Sequence, residues 1–494
     1  MSQLHLPFFQ EYLLADRSMS ITPVAFSLMA SFMSAITLLG VSSENYSFGI
    51  QFVVINLSYV LFTPIAAYLY LPVFFKLQAT SAYEYLERRF GQSVRLAASL
   101  CYSLQMILYM GIVLYAPALA LEALTGISQV SAILSVGLVC TFYSTIGGMK
   151  AVLMTDVFQS LLMYAAIFSV IICAGIQKGS LSEIWRIAAE GNRTSILNFS
   201  TSFAGLSIYS RYFDCDPVSA KIISNSDQLM PYFVIDSMGH IPGISGIFVA
   251  GIFSASLSTI SACLNSMAAV TMEDYFKPVY RLCKEKELSE SFSTVLTKIF
   301  AFGYGIACVA IAFLAANLGG VLQASLTIFG VVGGPLLGLF TLGMFTTIAN
   351  ERGVLTGLVV GLAMTLWIGF GGPKPPLPKL PVSTYGCDDE LLSMQSLNTT
   401  FIPQSSEYFW LYRVSYLYYG VFGLLSTLIA GTVASFIFSK ISNEAKEEIL
   451  DPNLFIPPLA KKLRRRLGQS LAMATLSGSL AELNESITKN GVTK

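Results

Sequence analysis

The chain has 494 residues, of which 54% are hydrophobic and only 12% charged, with a mean hydropathy of +0.65; this excludes a water-soluble globular domain, where about a quarter of residues carry charge. The 29 Lys and Arg balance 29 Asp and Glu, so no basic excess points to nucleic acid. Two histidines, His5 and His240, and eight cysteines without CxxC spacing indicate no metal site, no disulfide framework and no histidine-based triad, which sets membrane enzyme chemistry aside.

In chain order, residues 1–20 form a short N-terminal segment in which Glu11, Asp16 and Arg17 precede the first apolar run. That run continues to spanning length, unlike a signal peptide. A helix needs roughly 20 apolar residues to cross a bilayer, and ten runs qualify: 21–42, 50–75, 96–121, 127–147, 151–176, 243–271, 295–317, 321–349, 353–372 and 414–439. None shows the two-residue alternation of a barrel strand. The sequence therefore predicts an all-α, polytopic membrane protein of about 10 transmembrane helices within 21–440. Residues 177–242 contain no run long enough to span and are expected to be a long extracellular segment. Residues 441–494 are polar and expected to form a disordered cytoplasmic tail.

Lys and Arg in short loops orient the spans. Lys76, Arg88, Arg89 and Arg95 follow the second run, and Lys277, Arg281, Lys284 and Lys286 follow the sixth. Both loops should be cytoplasmic, and ten spans then place both termini inside, in agreement with Arg17 and with the tail run Lys461, Lys462, Arg464, Arg465 and Arg466. The same topology puts 373–413 outside and makes Asn192, Asn198 and Asn398 glycosylation candidates. Asn484 also begins a sequon, on the inner side.

Within the spans, Ser27, Ser31 and Ser34 recur on one face of the first helix. The sixth run is denser, with Ser254, Ser256, Ser258, Thr259, Ser261 and Ser266 among Gly251, Ala255 and Ala262, and with Asn265. Such residues serve as glue between membrane helices, and they can also supply the oxygens that a hard cation such as sodium requires. Asp156 is the one acidic residue well inside a span, where a carboxylate costs roughly 2.5 to 3.5 kcal/mol on insertion scales. Gln159 shares its face. Either an ion-pathway role or a favourable place near a helix N-terminus accounts for it. Gly147-Gly148, Gly319-Gly320 and Gly333-Gly334-Pro335 mark irregular backbone, and the last should kink or unwind its helix.

The stretches SLMASFMSAITLLG, FYSTIGGMKAV, TDVFQ, DQLMPYFV, SLSTISACLNSMAAVTMED and FGVVGGPLLGLFTLGMF resemble the sodium/solute symporter family, particularly its animal branch of monocarboxylate, multivitamin and iodide carriers, over about 18–440. The resemblance implies a five-plus-five inverted-repeat core with alternating access, in which a sodium ion sits between the first helix of one repeat and the third of the other. It maps that sodium onto the carbonyls of Ala30, Met33 and Ala255 and the hydroxyls of Ser258 and Thr259. It puts Ser31 and Ser34 near a second sodium and the substrate cavity, Asp156 beside the sodium site, and Asn265 among the coupling residues. The implied partners are sodium as coupling ion, a small organic anion such as lactate or pyruvate, and the lipid bilayer of the plasma membrane, with no organic cofactor and no nucleic acid. Two departures stand out. The family has one further helix before the first run, and it carries two spans between the fifth and sixth runs, where LSIY at 206–209 here runs almost directly into YFDCDP. Loss of an even number of spans preserves the downstream orientation. The core is therefore expected to be incomplete, and the alternatives are a transport-inactive variant or a carrier of biotin, pantothenate or iodide.

Overall fold

The computed structural model describes residues 20–78, 81–194, 202–286, 288–315, 320–375, 379–387, 408–442 and 450–467, the side chains of 147–151 and 442 excepted. Among these residues the chain is helical and contains no strand. All ten predicted runs become helices. Nine are long and apolar enough to cross a membrane singly, and the tenth crossing is a bent pair, α1 (Ile21–Phe32) and α2 (Ala35–Phe48), inclined at 52°. The others are α3 (Ile50–Leu77), α5 (Gln92–Thr125), the spans Gln129–Ile146 and Val152–Lys178 of α6 (Gln129–Lys178), α10 (Ile244–Lys284), α11 (Glu290–Ala315), α12 (Val321–Phe345), α13 (Glu351–Phe370) and α14 (Tyr419–Ser442).

Fifty residues of straight helix would measure about 75 Å, so α6 serves two crossings. The Tyr143 hydroxyl meets the Thr155 hydroxyl, although twelve residues of straight helix would hold their backbones about 18 Å apart. The element therefore folds back around Gly147-Gly148. Three other helices widen into a π turn at Ala66–Tyr70, Thr271–Phe276 and Phe329–Gly333. Each of these ends two residues before a proline: Pro72, Pro278 and Pro335. Proline donates no N–H and its ring crowds the carbonyl four residues back, so the wider turn relieves the clash without breaking the helix. The irregularity predicted at Gly333-Gly334-Pro335 is thus a π turn. Gly319 lies outside the described residues.

Close approach of helices depends on small residues. A Cβ added to Gly251 of α10 would fall 2.5 Å from the Ala166 Cβ of α6. One buried apolar cluster joins α2, α5, α6, α10 and α11, and a second joins α5, α12, α13 and the α4 helix (Ala82–Phe90). The outlier is α3, of whose apolar window only 6% is buried.

Three expectations are corrected. Residues 177–242 are not a stretch without secondary structure: they contain α7 (Leu181–Glu190), α8 (Ser202–Arg211) and α9 (Leu229–Met238). Helix α8 is buried against α2, where a Cβ on Gly205 would lie 2.7 Å from both the Asn45 Cβ and the Ser42 carbonyl. Each of these helices has about ten residues, too short for a spanning-length criterion to detect. The tail is not disordered throughout, because 450–467 folds against the body: Tyr85 donates to the Leu454 carbonyl at 3.0 Å, the Ile456 N–H to the Met344 carbonyl at 3.2 Å, and Phe455 is buried. Helix α15, residues 457–467, follows. Finally, Cys215 and Cys387 form a disulfide across 172 residues of sequence, with Cα atoms 5.0 Å apart.

That disulfide closes a cap over the end of α2. Arg193, the largest fully buried side chain among the described residues, donates to the carbonyls of Tyr46 (2.8 Å), Gly191 (2.8 Å) and Pro381 (3.1 Å), and its guanidinium lies 3.5 Å from the centroid of the Tyr209 ring. Burial lowers its pKa from the usual arginine value. Tyr46 in turn donates to Asp216 at 2.7 Å, beside the disulfide. Asn192, one residue from this buried arginine, is exposed; Asn198 and Asn398 lie outside the described residues.

Candidate ion and substrate site

The break between α1 and α2 is made by Met33, at φ −84° and ψ 79°, and by extended Ser34. Met33 N–H still reaches the Met29 carbonyl at 2.9 Å, but Ser34 N–H turns to Phe32 at 3.1 Å. The carbonyls of Ala30 and Met33 consequently receive no donor among the described residues, which frees two oxygens in the middle of a span. Helix α10 passes beside the break because Ala30, Ala255 and Ser258 are small and fully buried. Thr259 Oγ1 is 3.3 Å from the Ser31 carbonyl and 3.0 Å from the Ala255 carbonyl, so its single proton bridges the two helices.

Asp156 completes the junction from α6. It is fully buried. Ser27 of α1 donates to its Oδ2, while Oδ1 has no hydrogen-bond partner. Ser258 interacts with the same carboxylate, although its Oγ makes no hydrogen bond of normal geometry. Ser160 Oγ donates to the Asp156 carbonyl at 2.6 Å and fixes that turn. The Asp156 carboxylate of α6 thus meets Ser27 of α1 and Ser258 of α10, with Asp156 Oδ1 and Ser258 Oγ buried and making no hydrogen bond of normal geometry, beside a helix break that leaves two carbonyls without a donor among the described residues. That donor set suits a small hard cation, whose charge would offset the cost of burying the carboxylate.

The sequence candidates divide among three places. Ala255, Ser258, Thr259 and Asp156 meet at the junction, which Ser31 joins through its carbonyl; Ala30 and Met33 lie in the neighbouring break of the α1–α2 pair. Ser34 is buried toward α5, where its hydroxyl interacts with Tyr109; the Tyr109 ring packs edge-on against Phe329, centroids 4.6 Å apart, at the π turn of α12. Asn265 stands apart: it lies two turns, about 10.5 Å, beyond Ser258, and its amide donates to the Ser261 carbonyl at 2.9 Å. Gln159 Oε1 is buried without a partner. Nothing in the sequence singles out Tyr109, since one hydroxyl among 24 tyrosines carries no positional signal, and in the sequence Ser27 is only part of a small-residue face.

A multi-pass helical membrane carrier is the class that this fold and this oxygen-lined helix break define. The pattern of the Sodium:solute symporter family matches residues 12–209 and again 206–361, and the chain belongs to that family: it is a sodium-coupled solute symporter by family and not an enzyme. It is 48% identical to a Drosophila melanogaster protein named "Putative sodium-dependent multivitamin transporter", over 97% of this chain and 91% of that one. It is 39% identical to the mouse sodium-coupled monocarboxylate transporter 1, over 90% and 84% respectively. A solved structure of a substrate-bound, outward-open Na+-coupled sialic acid symporter shares the fold, with a TM-score of 0.68 at 23% identity over 87% of this chain and 92% of that one. The two family matches meet at 206–209, inside α8. The Drosophila alignment runs over 551 positions against 494 residues here, so at least 57 positions are gaps in this chain.

Proposed function

We propose that the chain carries small monocarboxylates, such as lactate or pyruvate, together with sodium by alternating access in the plasma membrane, with both termini in the cytoplasm. The observation that supports the reading is the meeting of Ser258, Thr259 and Asp156 beside a helix break whose Ala30 and Met33 carbonyls have no donor among the described residues. Sodium held there would tie α1 to α6 and α10, and so set the position of the Ser34 end of the break. The hydroxyls of Ser34 and Tyr109 beside the Phe329 ring offer hydrogen-bonding groups against an apolar wall, which fits a carboxylate on a short carbon body. The relatives' printed names, monocarboxylate and multivitamin, support the organic-anion class. The disulfide supports the topology, because Cys215 and Cys387 must share a compartment, and an oxidising one lies outside.

The test is uptake of labelled lactate in cells expressing the chain, in sodium against choline medium, with biotin as competitor. Uptake severalfold higher in sodium and insensitive to biotin is expected; sodium-dependent uptake abolished by biotin would move the substrate to the vitamins. A second reading, a form that does not transport, is favoured by the split family match and by Asn45, whose amide is fully buried beside α8 with neither polar atom partnered. Background uptake by a chain that reaches the surface, restored by inserting the relative's residues between 209 and 212, would establish it.

A further inference from the structure

Away from the ion junction, the end of α3 and helix α15 enclose an open cavity of about 440 Å³ lined by Lys76, Pro457, Ala460, Lys461, Arg464 and Arg465. Four of its six lining residues are cations. Arg464 gives one N–H to Asn453 Oδ1 at 2.7 Å, while Lys76, Lys461 and Arg465 form no ion pair among the described residues. Its outer wall is fixed in place. Phe455 is buried with the Arg89 guanidinium 5.0 Å from its ring centroid, the Leu454 and Ile456 backbones are hydrogen-bonded to Tyr85 and Met344, and Ala460 is buried. Pro457 opens α15, a favoured place for a residue without an N–H. Directly along the chain from Lys76, α3 bares Leu71 (60% exposed) and Phe75 (72%), an apolar ridge that belongs in hydrocarbon.

We propose that this cavity binds the multiply phosphorylated headgroup of an anionic membrane lipid, with the acyl chains lying along the exposed ridge of α3. Guanidinium forks and ammonium groups lining one cavity, with no carboxylate partner among the described residues, match phosphate oxygens, which a zwitterionic headgroup cannot satisfy to the same degree. The ridge beside the cavity selects a lipid over a soluble phosphate, since only a lipid fills both. Basic pockets between membrane helices bind such headgroups, with each Lys or Arg near the surface adding to the attraction.

Purified full-length protein, titrated with a phosphatidylinositol bisphosphate and followed by native mass spectrometry, should retain one lipid per chain. K461Q with R465Q should weaken that binding by about 10- to 30-fold, while K284Q with K286Q, an equal loss of charge elsewhere, should change it less than about twofold. F455A leaves every cation in place but unpins the wall, and should weaken binding as strongly as the charge pair. All four charge positions are exposed, so those variants keep the fold, and melting temperatures verify it for F455A. Equal effects of the two charge pairs would overturn the proposal. So would unchanged binding in F455A, which would reduce the site to a loose basic run, and so would soluble inositol trisphosphate binding as tightly as the lipid, which would make it a free-anion site.

Discussion

The hydroxyl of Thr259 reaches the carbonyl of Ser31 at 3.3 Å across 228 residues of sequence. It is the point at which the broken helix and α10 are held in register. T259A and S258A each remove an oxygen from the junction. Each should weaken sodium binding by about tenfold, the size of one hydrogen-bond-scale interaction. The check is the rise in melting temperature with sodium chloride against choline chloride, which reads binding whether or not transport occurs. An unchanged sodium response in both variants would remove the ion from this junction.

Asp156 and Ser27 make a second, separable test. D156N keeps the volume and a hydrogen-bonding oxygen but not the charge, so sodium stabilisation should vanish while the sodium-free melting temperature holds or rises, as desolvation of a carboxylate is no longer required. S27A should lower the sodium-free stability by about 1 to 3 kcal/mol, because it leaves a buried carboxylate oxygen without its donor.

The cap over α2 depends on Arg193 and on the disulfide. R193A withdraws the donors from three carbonyls and should destabilise the protein by about 3 kcal/mol, read as a lower melting temperature. C215S with C387S should cost about 2 to 4 kcal/mol. Alkylation of the denatured, unreduced chain should modify six cysteines, Cys101, Cys140, Cys173, Cys263, Cys283 and Cys308, and reduction should make all eight reactive.

Asp227 accepts the Val321 N–H at 2.9 Å at the start of α12, and burial raises its pKa above the ordinary 3.8. The folded state therefore holds its proton more tightly than the unfolded one. The stability this contributes is full below the ordinary carboxylate value and is lost as pH rises through the raised one. D227N keeps an acceptor for Val321 and should flatten the fall in melting temperature as pH rises above the ordinary carboxylate range. D227A should lower it at every pH.

The spans were readable because hydrocarbon imposes one rule on every backbone group inside it, and the helices Glu290–Ala315 and Glu351–Phe370 formed by two of the predicted runs obey it. Glycine and proline likewise announced the irregular backbone at Gly333-Gly334-Pro335, since the missing N–H of Pro335 is a local property. What stayed hidden was non-local. No spacing relates Cys215 to Cys387, and α8 is ten residues of mixed polarity whose burial depends on Ser42 and Asn45, more than 150 residues earlier. The ion candidates came from serine density on two helices together with the family resemblance. The Ser27 to Asp156 contact needed the fold, because hydroxyls that glue helices and hydroxyls that orient a carboxylate look the same in one dimension.

With 6% of its apolar window buried, α3 is a rod steadied by the bilayer more than by its own protein. Its Lys76 end leans on the 450–467 segment and its Ile50 end continues from α2, while side chains between them such as Val60, Leu61 and Phe62 are exposed. Thinner or thicker membranes should therefore tilt this one helix while the ion junction keeps its shape. Lipid chain length then becomes a handle on the protein's mechanics that leaves its chemistry untouched.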